Sequence, residues 1–450
     1  MKAFGRPESC GRVSEADLSA SMRRTDSYCN PYQDLLTRRE QRENLSQMIG
    51  GLVSALERKS VEPIAVMHGV ERRNLQHFVG TSQWDDDPLR HRQRWEVAQE
   101  IGVADGSLVL DGSGTIKKGT ETVAVARQWC GRQGKVDNCV VGIYAAYVGK
   151  CGLTSIVDSQ IYLPRQWVDD QDRRAKIYVP PEIEYQTQTE IAVDMTRRMK
   201  AELPFEWVLG DDQFGRSRAV RDQVWALEKS YVFDVPCDTR VRLVDGTKKW
   251  RADELARTRK IRKWRRLHVR DGEKGPLEVS ALRLPVMVER EDAKRRVTYE
   301  VPETLVVIEN LEVNGKTTYH LARSRSSEAP LPELVGRAAQ RHFIEETFEE
   351  AKGEVGLDHF EVRAWHGWHH HMTLCQLAHW FLVREQRLLG KKVPGLTVSM
   401  IRAAIGPLLS PATISKMVDQ MNYQLARNEE VRQAHWRARG SPAPPRPPMP

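Results

Sequence analysis

The spacing of hydrophobic and polar positions divides the chain into regions of different local structure. Between residues 42 and 101, apolar side chains recur every three or four positions, which predicts helices. Further along, the apolar residues gather into short runs bounded by turn-forming residues, which predict strands. The first series of predicted strands comprises residues 107–111, 139–148, 154–163, 206–211 and 231–235.

Helical patterns reappear between and after these strands. Residues 191–203 and 219–229 are predicted helices, and strands that alternate with helices indicate a mixed α/β sheet. A second series of strands is predicted at residues 282–288, 297–301, 304–308 and 317–321. Helices follow at residues 334–357, 373–389 and 398–437. The order predicts an α/β core that a small antiparallel sheet interrupts.

Two short helical runs, residues 61–67 and 71–79, are separated by a turn that contains Gly69. A helix, a short glycine-containing turn and a second helix form the outline of a helix-turn-helix. A plain αα-hairpin has the same outline and is more common, so we expect the hairpin and keep the helix-turn-helix as the alternative.

Composition separates the two ends of the chain from the rest. Residues 1–41 are polar and Arg-rich and are predicted to form a flexible arm, and the Pro-rich residues 438–450 to form a disordered tail. The predicted regions between them are a helical region (42–105), the first part of the core (106–238), a basic and β-rich insertion (239–330), the second part of the core (331–390) and a C-terminal helical region (391–437).

The overall composition restricts the class of protein. Hydrophobic residues make up 40% of the 450 residues and charged residues 29%, which excludes disordered and fibrous classes. A net charge of +8 favours polyanionic partners. We expect no membrane span and no secretion signal, because no apolar stretch is long enough. Seven cysteines without a CxxC pair are typical of a reducing cytoplasm.

Positive charge is concentrated in residues 239–270, which hold thirteen Lys and Arg against three Asp and Glu. Trp250 and Trp264 lie among these cations. A basic block with interleaved aromatic residues is typical of nucleic-acid binding, although most charge runs are solvated surfaces. We favour DNA contact here and expect the affinity to fall steeply with salt.

Three carboxylates stand where they could act together. Asp111 and Asp211 each follow an apolar strand, at the sheet edge where α/β proteins build sites. Asp212 points to the opposite face if the strand continues. On the predicted helix 334–357, Glu345 shares one stripe with Arg341 and Lys352 at offsets of four and seven positions.

Such a set of oxygens suits hard divalent cations. Mg²⁺ is usually held by one or two carboxylates together with substrate phosphates. Two ions about 3.5–4 Å apart stabilise both the entering and the leaving oxygen of a phosphodiester displacement. Asp111, one of the adjacent pair Asp211 and Asp212, and Glu345 could therefore together bind two divalent cations.

The motifs around these acids resemble those of the bacterial insertion-sequence DDE transposases, over residues 42–390. The family's first motif, Asp-acid-Thr-Gly followed by Lys-Lys-Gly, corresponds to DGSGTIKKG from Asp111. Its second, Asp-x-x-Tyr-Gly, corresponds to DDQFG from Asp211. Its third motif is Tyr, two residues, Arg, three residues, Glu, six residues and Lys. Arg341, Glu345 and Lys352 have the spacing of the Arg, Glu and Lys in this motif. The 134 positions between Asp211 and Glu345 leave room for the family's β-rich insertion.

This resemblance implies a fold, an activity and partners. The fold class is α/β, with an RNase-H-like mixed sheet core, a helical N-terminal DNA-binding domain and a β-rich insertion domain. The activity is cleavage of double-stranded DNA at the element ends and strand transfer to target DNA. It uses two Mg²⁺ ions, for which Mn²⁺ can substitute, and the resemblance selects Asp211 over Asp212 and implies that Asp111, Asp211 and Glu345 are the catalytic acids that hold these ions. A homodimer on DNA and a bacterial cytoplasmic, nucleoid-associated location are also implied.

The resemblance also assigns DNA contacts. Arg341 and Lys352 are expected to meet phosphates near the cut, and Lys117 and Lys118 either touch phosphate or lie in a solvated turn. The basic block is expected to lie along DNA through five consecutive residues, which are Arg262, Lys263, Trp264, Arg265 and Arg266.

Two departures from the family pattern leave alternatives open. Gly112 stands where the family has an acid, and Ala338 stands where it has Tyr. A catalytically degenerate DNA-binding protein of the same fold, or an RNase-H-like nuclease without transposition, is therefore the alternative. His366 and His370 have the spacing of some zinc ligands, but no Glu or Cys completes such a site, so we expect a packed or DNA-facing helix.

Overall fold

The structure, a computed structural model, describes residues 13–258, 264–272, 275–292, 297–311, 315–326, 329–391 and 396–409, together with residues 434 and 437. The predicted tail at residues 438–450 lies outside this part of the chain, as does most of the helix predicted up to residue 437. No helix of the described residues is long and apolar enough to cross a bilayer.

Among the described residues, six helices precede the first strand. They are α1 (Glu15–Tyr28), α2 (Asn30–Gln33), α3 (Arg39–Val53), α4 (Val61–His68), α5 (Arg72–Gly80) and α6 (Asp87–Ile101). Gly69 ends α4 with φ +65°, a left-handed conformation that glycine adopts without strain. The helices predicted at residues 61–67 and 71–79 are confirmed, because they correspond to α4 and α5.

The predicted flexible arm is wrong from Glu15 onward. Side chains of α1 contact a helix that lies more than 300 positions later in the sequence. The closest ion pair joins Arg24 Nε to Glu385 Oε1 at 2.6 Å. The Tyr28 hydroxyl, which is buried, donates a hydrogen bond of 2.7 Å to the carbonyl oxygen of Leu377. The Arg-rich composition therefore reflects specific ion pairs, which give this segment a defined position.

The first half of the sheet contains β1 (Ser107–Ile116), β2 (Ala126–Cys130), β3 (Lys135–Val148), β4 (Thr154–Ile161), β5 (Trp207–Gly210) and β6 (Ser230–Val235). Strand β3 pairs antiparallel with β1, β2 and β4, whereas β1, β5 and β6 are parallel neighbours. This mixed sheet confirms the predicted α/β class with an RNase-H-like core. Strand β2 was not predicted.

Helices cover this part of the sheet. They are α7 (Arg165–Val168), α8 (Gln171–Lys176), α9 (Gln188–Glu202), α10 (Asp212–Gly215) and α11 (Arg218–Ala226). Helix α9 begins with a capping box, in which Thr187 and Glu190 satisfy each other's backbone N–H groups. Its buried face, which includes Ile191, Met195 and Met199, joins the main apolar core.

The insertion continues the same sheet. It comprises β7 (Arg240–Leu243), β8 (Lys249–Arg251), α12 (Ala252–Arg257), β9 (Arg265–Gly272), β10 (Gly275–Asp292), β11 (Val297–Asn310) and β12 (Thr317–Arg323). Strand β12 pairs antiparallel with the core strand β6, so the insertion is hydrogen-bonded to the core instead of forming a separate sheet. The strands predicted at 297–301 and 304–308 are one continuous strand, β11.

Four helices complete the described chain: α13 (Leu331–Gln340), α14 (His342–Val355), α15 (Trp365–Gly390) and α16 (Val398–Ile405). The predicted helix at 334–357 is divided at Arg341, which caps the end of α13 and the start of α14. Helix α15 is buried on nearly all sides, which explains its apolar and aromatic composition.

Candidate active site

The register of three parallel strands brings carboxylates into one row. Leu110 of β1 pairs with Gly210 of β5, and Gly210 pairs with Phe233 of β6. The next position on each chain segment is an aspartate, so Asp111, Asp211 and Asp234 follow one another across the sheet edge. The sequence predicted the first two acids at a sheet edge; their alignment follows from the observed pairing.

Asp111 lies partly buried in a negative environment. Its Oδ1 accepts a hydrogen bond of 2.7 Å from the backbone N–H of Gly112. Burial and the nearby charge of Asp211 nevertheless raise the pKa of Asp111 to about 7. A carboxylate that is costly to ionise in the free protein gains from an added cation.

Asp211 caps helix α10, and its Oδ1 accepts a hydrogen bond of 3.0 Å from the backbone N–H of Gln213. Burial and the adjacent Asp212 raise the pKa of Asp211 above its usual value. The neighbouring carboxylate has a different partner, because Asp212 Oδ2 lies 2.5 Å from Arg216 Nη2. Asp212 is therefore paired with a cation of its own helix, α10 and the residue after it, whereas Asp211 contacts the backbone of that helix.

Arg341 lies between two acids at the junction of α13 and α14. Its Nε lies 2.9 Å from Asp234 Oδ2, and its Nη2 lies 2.9 Å from Glu345 Oε1. Glu345 is in the first turn of α14, where the helix dipole favours a negative charge, and its Oε2 lies 3.2 Å from His342 Nδ1. The Glu345 side chain remains 44% exposed, which makes it the most accessible of the three predicted catalytic acids.

Lys352 projects from α14 toward β1. Its ammonium group donates a hydrogen bond of 2.8 Å to the hydroxyl of Ser113, two positions after Asp111. Lys352 and Arg341 thus lie on the same side of α14, as their spacing predicted. Lys117, in contrast, donates to the carbonyl oxygen of Phe360 at 2.5 Å, and burial lowers its pKa to about 8.

These residues line an open cleft of about 1400 Å³. Its walls include all three predicted acids, both predicted cations of α14 and Asp234, whereas Lys117 and Lys118 are not among its lining residues. The predicted phosphate contacts of Lys117 and Lys118 therefore do not belong to this cleft. Asp234 is a cleft residue that the sequence did not reveal.

The cleft suits a hard cation at one end. Asp111 and Asp211 supply only oxygen ligands, and burial, with neighbouring carboxylates, raises the pKa of both. Within the part of the chain that the structure describes, however, no group of three or more His, Cys, Asp or Glu side chains is arranged to hold a metal ion. The predicted convergence of three acids is therefore absent from this conformation, in which Arg341 engages Glu345.

The basic block is partly neutralised by neighbouring strands. Arg242 pairs with Glu300, Lys249 with Glu289, and Arg266 with Glu278. Trp250 and Trp264, whose interleaving suggested DNA contact, pack against a second apolar core inside the insertion. Arg265 is exposed on β9, and Arg262 and Lys263 lie outside the described residues.

The histidines of α15 have packing roles. The two ring nitrogens of His370 lie 3.1 Å from the Val79 carbonyl oxygen and 2.9 Å from that of Trp84. Burial lowers the pKa of His369 to about 3 and that of His371 to about 4. The packed helix expected from the sequence is therefore confirmed.

The fold and the cleft define an α/β protein whose acid-lined active-site candidate lies at the end of parallel strands, beside an inserted β-sheet. The model of the DDE superfamily endonuclease family matches residues 31–299, so the chain belongs to that family. Asp111 and Asp211 lie inside the matched range, and Glu345 follows it.

Individual proteins are also similar to this chain. A probable transposase for insertion sequence element IS701 from Microchaete diplosiphon is 30% identical over 207 residues, which are 46% of this chain and 51% of that protein. The chain thus matches about half the length of this relative. A cryo-EM structure of the piggyBac transposase synaptic complex with hairpin DNA is 10% identical, with a TM-score of 0.40, over 91% of this chain and 80% of the other.

Proposed function

We propose that the protein is the transposase of an insertion sequence. It would cut DNA strands at the ends of the element and join the freed 3′-hydroxyl to target DNA. The observation that carries the proposal is the pair of neighbouring strand-end acids, Asp111 and Asp211, whose pKa values are raised by burial and by adjacent negative charge. Membership of the DDE superfamily endonucleases and similarity to the IS701 protein support it.

Asp111 and Asp211 would hold the divalent cations, and Glu345 would join them once its contact with Arg341 is exchanged. Bound Mg²⁺, or Mn²⁺ in its place, supplies stabilisation of the entering and leaving oxygens in phosphoryl transfer. The protein contributes position and charge, which such a transfer chiefly requires.

Arg341 and Lys352 would receive the phosphates that flank the cut. Both line the cleft, and their side chains extend from one helix toward the acids. A phosphate that accepts a hydrogen bond from the Arg341 guanidinium would compete with Glu345 for the same donors and would weaken the contact between Arg341 and Glu345. DNA entry would therefore favour the movement of Glu345 toward the other acids.

Double-stranded DNA would also contact the N-terminal helices and the insertion. On α5, Arg73, Asn74 and Gln76 are exposed while Leu75 and Phe78 are buried, so polar side chains that can read base edges face outward. We further propose that two copies act together on paired ends, in the bacterial cytoplasm at the nucleoid.

A cleavage assay on DNA that carries the terminal repeats of the element tests this function. We expect Mg²⁺-dependent nicking at the repeat boundary and, with target DNA present, joined products. Asp111→Asn should abolish both, while Asp212→Asn serves as the matched control, because its carboxylate pairs with Arg216. Nicking without any joined product would favour an RNase-H-like nuclease that does not transpose.

The second candidate function is a DNA-binding protein of the same fold without catalysis. Gly112 and Ala338 favour it, since both replace residues that the family pattern contains, and so does the engagement of Glu345 by Arg341. Such a protein would bind the ends and leave them intact in Mg²⁺ or Mn²⁺. Any specific nick that Asp111→Asn removes would contradict it.

A further inference from the structure

A chain of charged side chains runs from the insertion into the cleft. It begins at His320 on β12, which is 4% exposed and lies directly opposite Asp234 of β6 in the antiparallel pair. His320 Nδ1 lies 2.8 Å from Asp234 Oδ1. The other ring nitrogen, Nε2, lies 2.9 Å from the hydroxyl oxygen of Thr318.

Asp234 contacts Arg341 as well as His320. One of its oxygens faces His320, and the other lies 2.9 Å from Arg341 Nε. The guanidinium of Arg341 then reaches Glu345 through Nη2, at 2.9 Å. Because a guanidinium is planar and its donors are fixed in a fork, anchoring Nε also fixes the direction in which Nη2 points.

Asp234 itself is poorly suited to hold a cation. Burial alone would raise its pKa, but His320 and Arg341 outweigh burial and hold the pKa of Asp234 below its usual value. Its charge is therefore compensated, whereas Asp111 and Asp211 in the same row carry raised pKa values. The row thus contains two acids whose pKa values are raised, mainly by burial, and a third that is held by His320 and Arg341.

We propose that Asp234, oriented by His320, is a positioning residue that fixes the guanidinium of Arg341 and, through it, the carboxylate of Glu345. The inference rests on the proposed function, because the position of Glu345 matters for DNA cleavage. Its consequence is that strand β12 of the insertion sets the orientation of an acid on α14. The insertion would then contribute to strand cleavage as well as to DNA contact.

A second ion pair between the insertion and the core provides a matched control. Arg290 of β10 is 2% exposed, and its Nε lies 2.8 Å from Asp222 Oδ1 on α11. This pair joins the same two parts of the molecule as the Asp234 contacts do, but neither residue lines the cleft. Asp222→Asn therefore reports the effect of loosening the insertion without disturbing Arg341.

The experiment compares Asp234→Asn, His320→Leu, His320→Gln and Asp222→Asn with the wild-type protein. Single-turnover nicking rates are measured in Mn²⁺, and the affinity for end DNA is measured without a divalent ion. We expect Asp234→Asn to slow nicking on the order of 10- to 100-fold with less than about a twofold change in DNA affinity, because small displacements of a catalytic group are costly. His320→Leu should follow it, while His320→Gln should restore most of the rate.

A second measurement needs no cleavage. With ¹⁵N-labelled arginine, the Nε–H signal of Arg341 should persist at pH 7.5 in the wild type and in Asp222→Asn, and should be lost to exchange in Asp234→Asn. Wild-type nicking by Asp234→Asn, or equal losses in Asp222→Asn and Asp234→Asn, would overturn the positioning role. If the wild type itself cut no DNA, the proposed function would fail, while the Arg341 signal would still decide whether Asp234 fixes the guanidinium.

Discussion

The strand-borne acids and the helix-borne acid of the cleft are held in different ways. Asp111 and Asp211 are placed by backbone pairing, since Leu110 and Gly210, one position earlier, lie opposite each other on neighbouring parallel strands. Glu345 is placed by side chains, through Arg341 and the acid behind it. Sheet register fixes the first two acids whether or not DNA is bound, whereas the third can change partners. Under the proposed function, this difference means that the exchange of a side-chain contact would complete the cleft.

The largest expected effect comes from changing side-chain length at the two kinds of position. Asp211→Glu should lower the single-turnover nicking rate by about 10²–10³-fold, because the strand end cannot move to accommodate the longer side chain. Glu345→Asp should cost about tenfold, because this carboxylate already has to move. Equal losses in the two variants, measured on the same end DNA, would remove the distinction between strand-held and helix-held acids.

A second effect concerns stability and pH. The pKa of Asp111 is about 7 in the folded protein and about 3.9 when unfolded. The folded state therefore retains a proton that the unfolded state releases, and wild-type stability should fall as pH rises from about 4 to 7. Asp111→Asn removes this cost, so above pH 7 it should be more stable than the wild type, by on the order of 4 kcal/mol.

Urea denaturation at pH 4.5 and pH 8 measures this difference. The gain should appear at pH 8 and be small at pH 4.5, where Asp111 is protonated in the folded wild-type protein. Asp253→Asn is the control, because the hydrogen bond from Arg251 lowers the pKa of Asp253 and the loss of this carboxylate should bring no such gain. An Asp111→Asn protein that is less stable than the wild type at pH 8 would show that the carboxylate is not strained by its surroundings.

A third effect separates the acids by cation binding without DNA. Millimolar Mn²⁺ should raise the melting temperature of the wild-type protein by a few degrees at pH 8, because it binds the folded state alone. Asp111→Asn and Asp211→Asn should lose this shift. Glu345→Gln should keep it, because Arg341 holds that carboxylate in the free protein. If Glu345→Gln also loses the shift, all three acids already share the cation.

The smallest expected effect comes from adding an acid beside Asp111. A Cβ atom at Gly112 would meet Ile143 Cδ1 at 3.5 Å and Gln188 Oε1 at 3.8 Å, which are ordinary contacts. Gly112→Asp should therefore fold and should lower the Mn²⁺ concentration for half-maximal nicking by about two- to threefold, since added carboxylates strengthen hard-cation sites. Gly112→Asn is the uncharged control, and an equal effect of both variants would rule out a charge contribution.

Much of the fold could be predicted from the sequence because its strands are short apolar runs. The core strands β1, β3, β4, β5 and β6 each contain such a run. Strand β2 was missed because only its two end residues are buried and Trp129 is exposed, so it lacks that signal. The division between α13 and α14 was missed because neither Gly nor Pro marks it.

The site shows the same limit at the level of side chains. The strand-end positions of Asp111 and Asp211 follow from local pattern, and the helical spacing of Arg341, Glu345 and Lys352 follows from periodicity. Asp234 could not be predicted, because it lies within an apolar strand and its partners His320 and Arg341 are distant in the chain. Which acid Arg341 engages is decided by competition in three dimensions.

The pairing of β6 with β12 has a geometric consequence for any DNA that lies across the insertion. Because the two parts share backbone hydrogen bonds, the insertion cannot turn about a hinge at this junction. A duplex bound by the insertion would reach the acids at a fixed distance from its contacts with the insertion. The number of base pairs between those contacts and the cleavage site would therefore be the same for every DNA that the protein binds. Adding or deleting residues in the outer loops should leave that count unchanged.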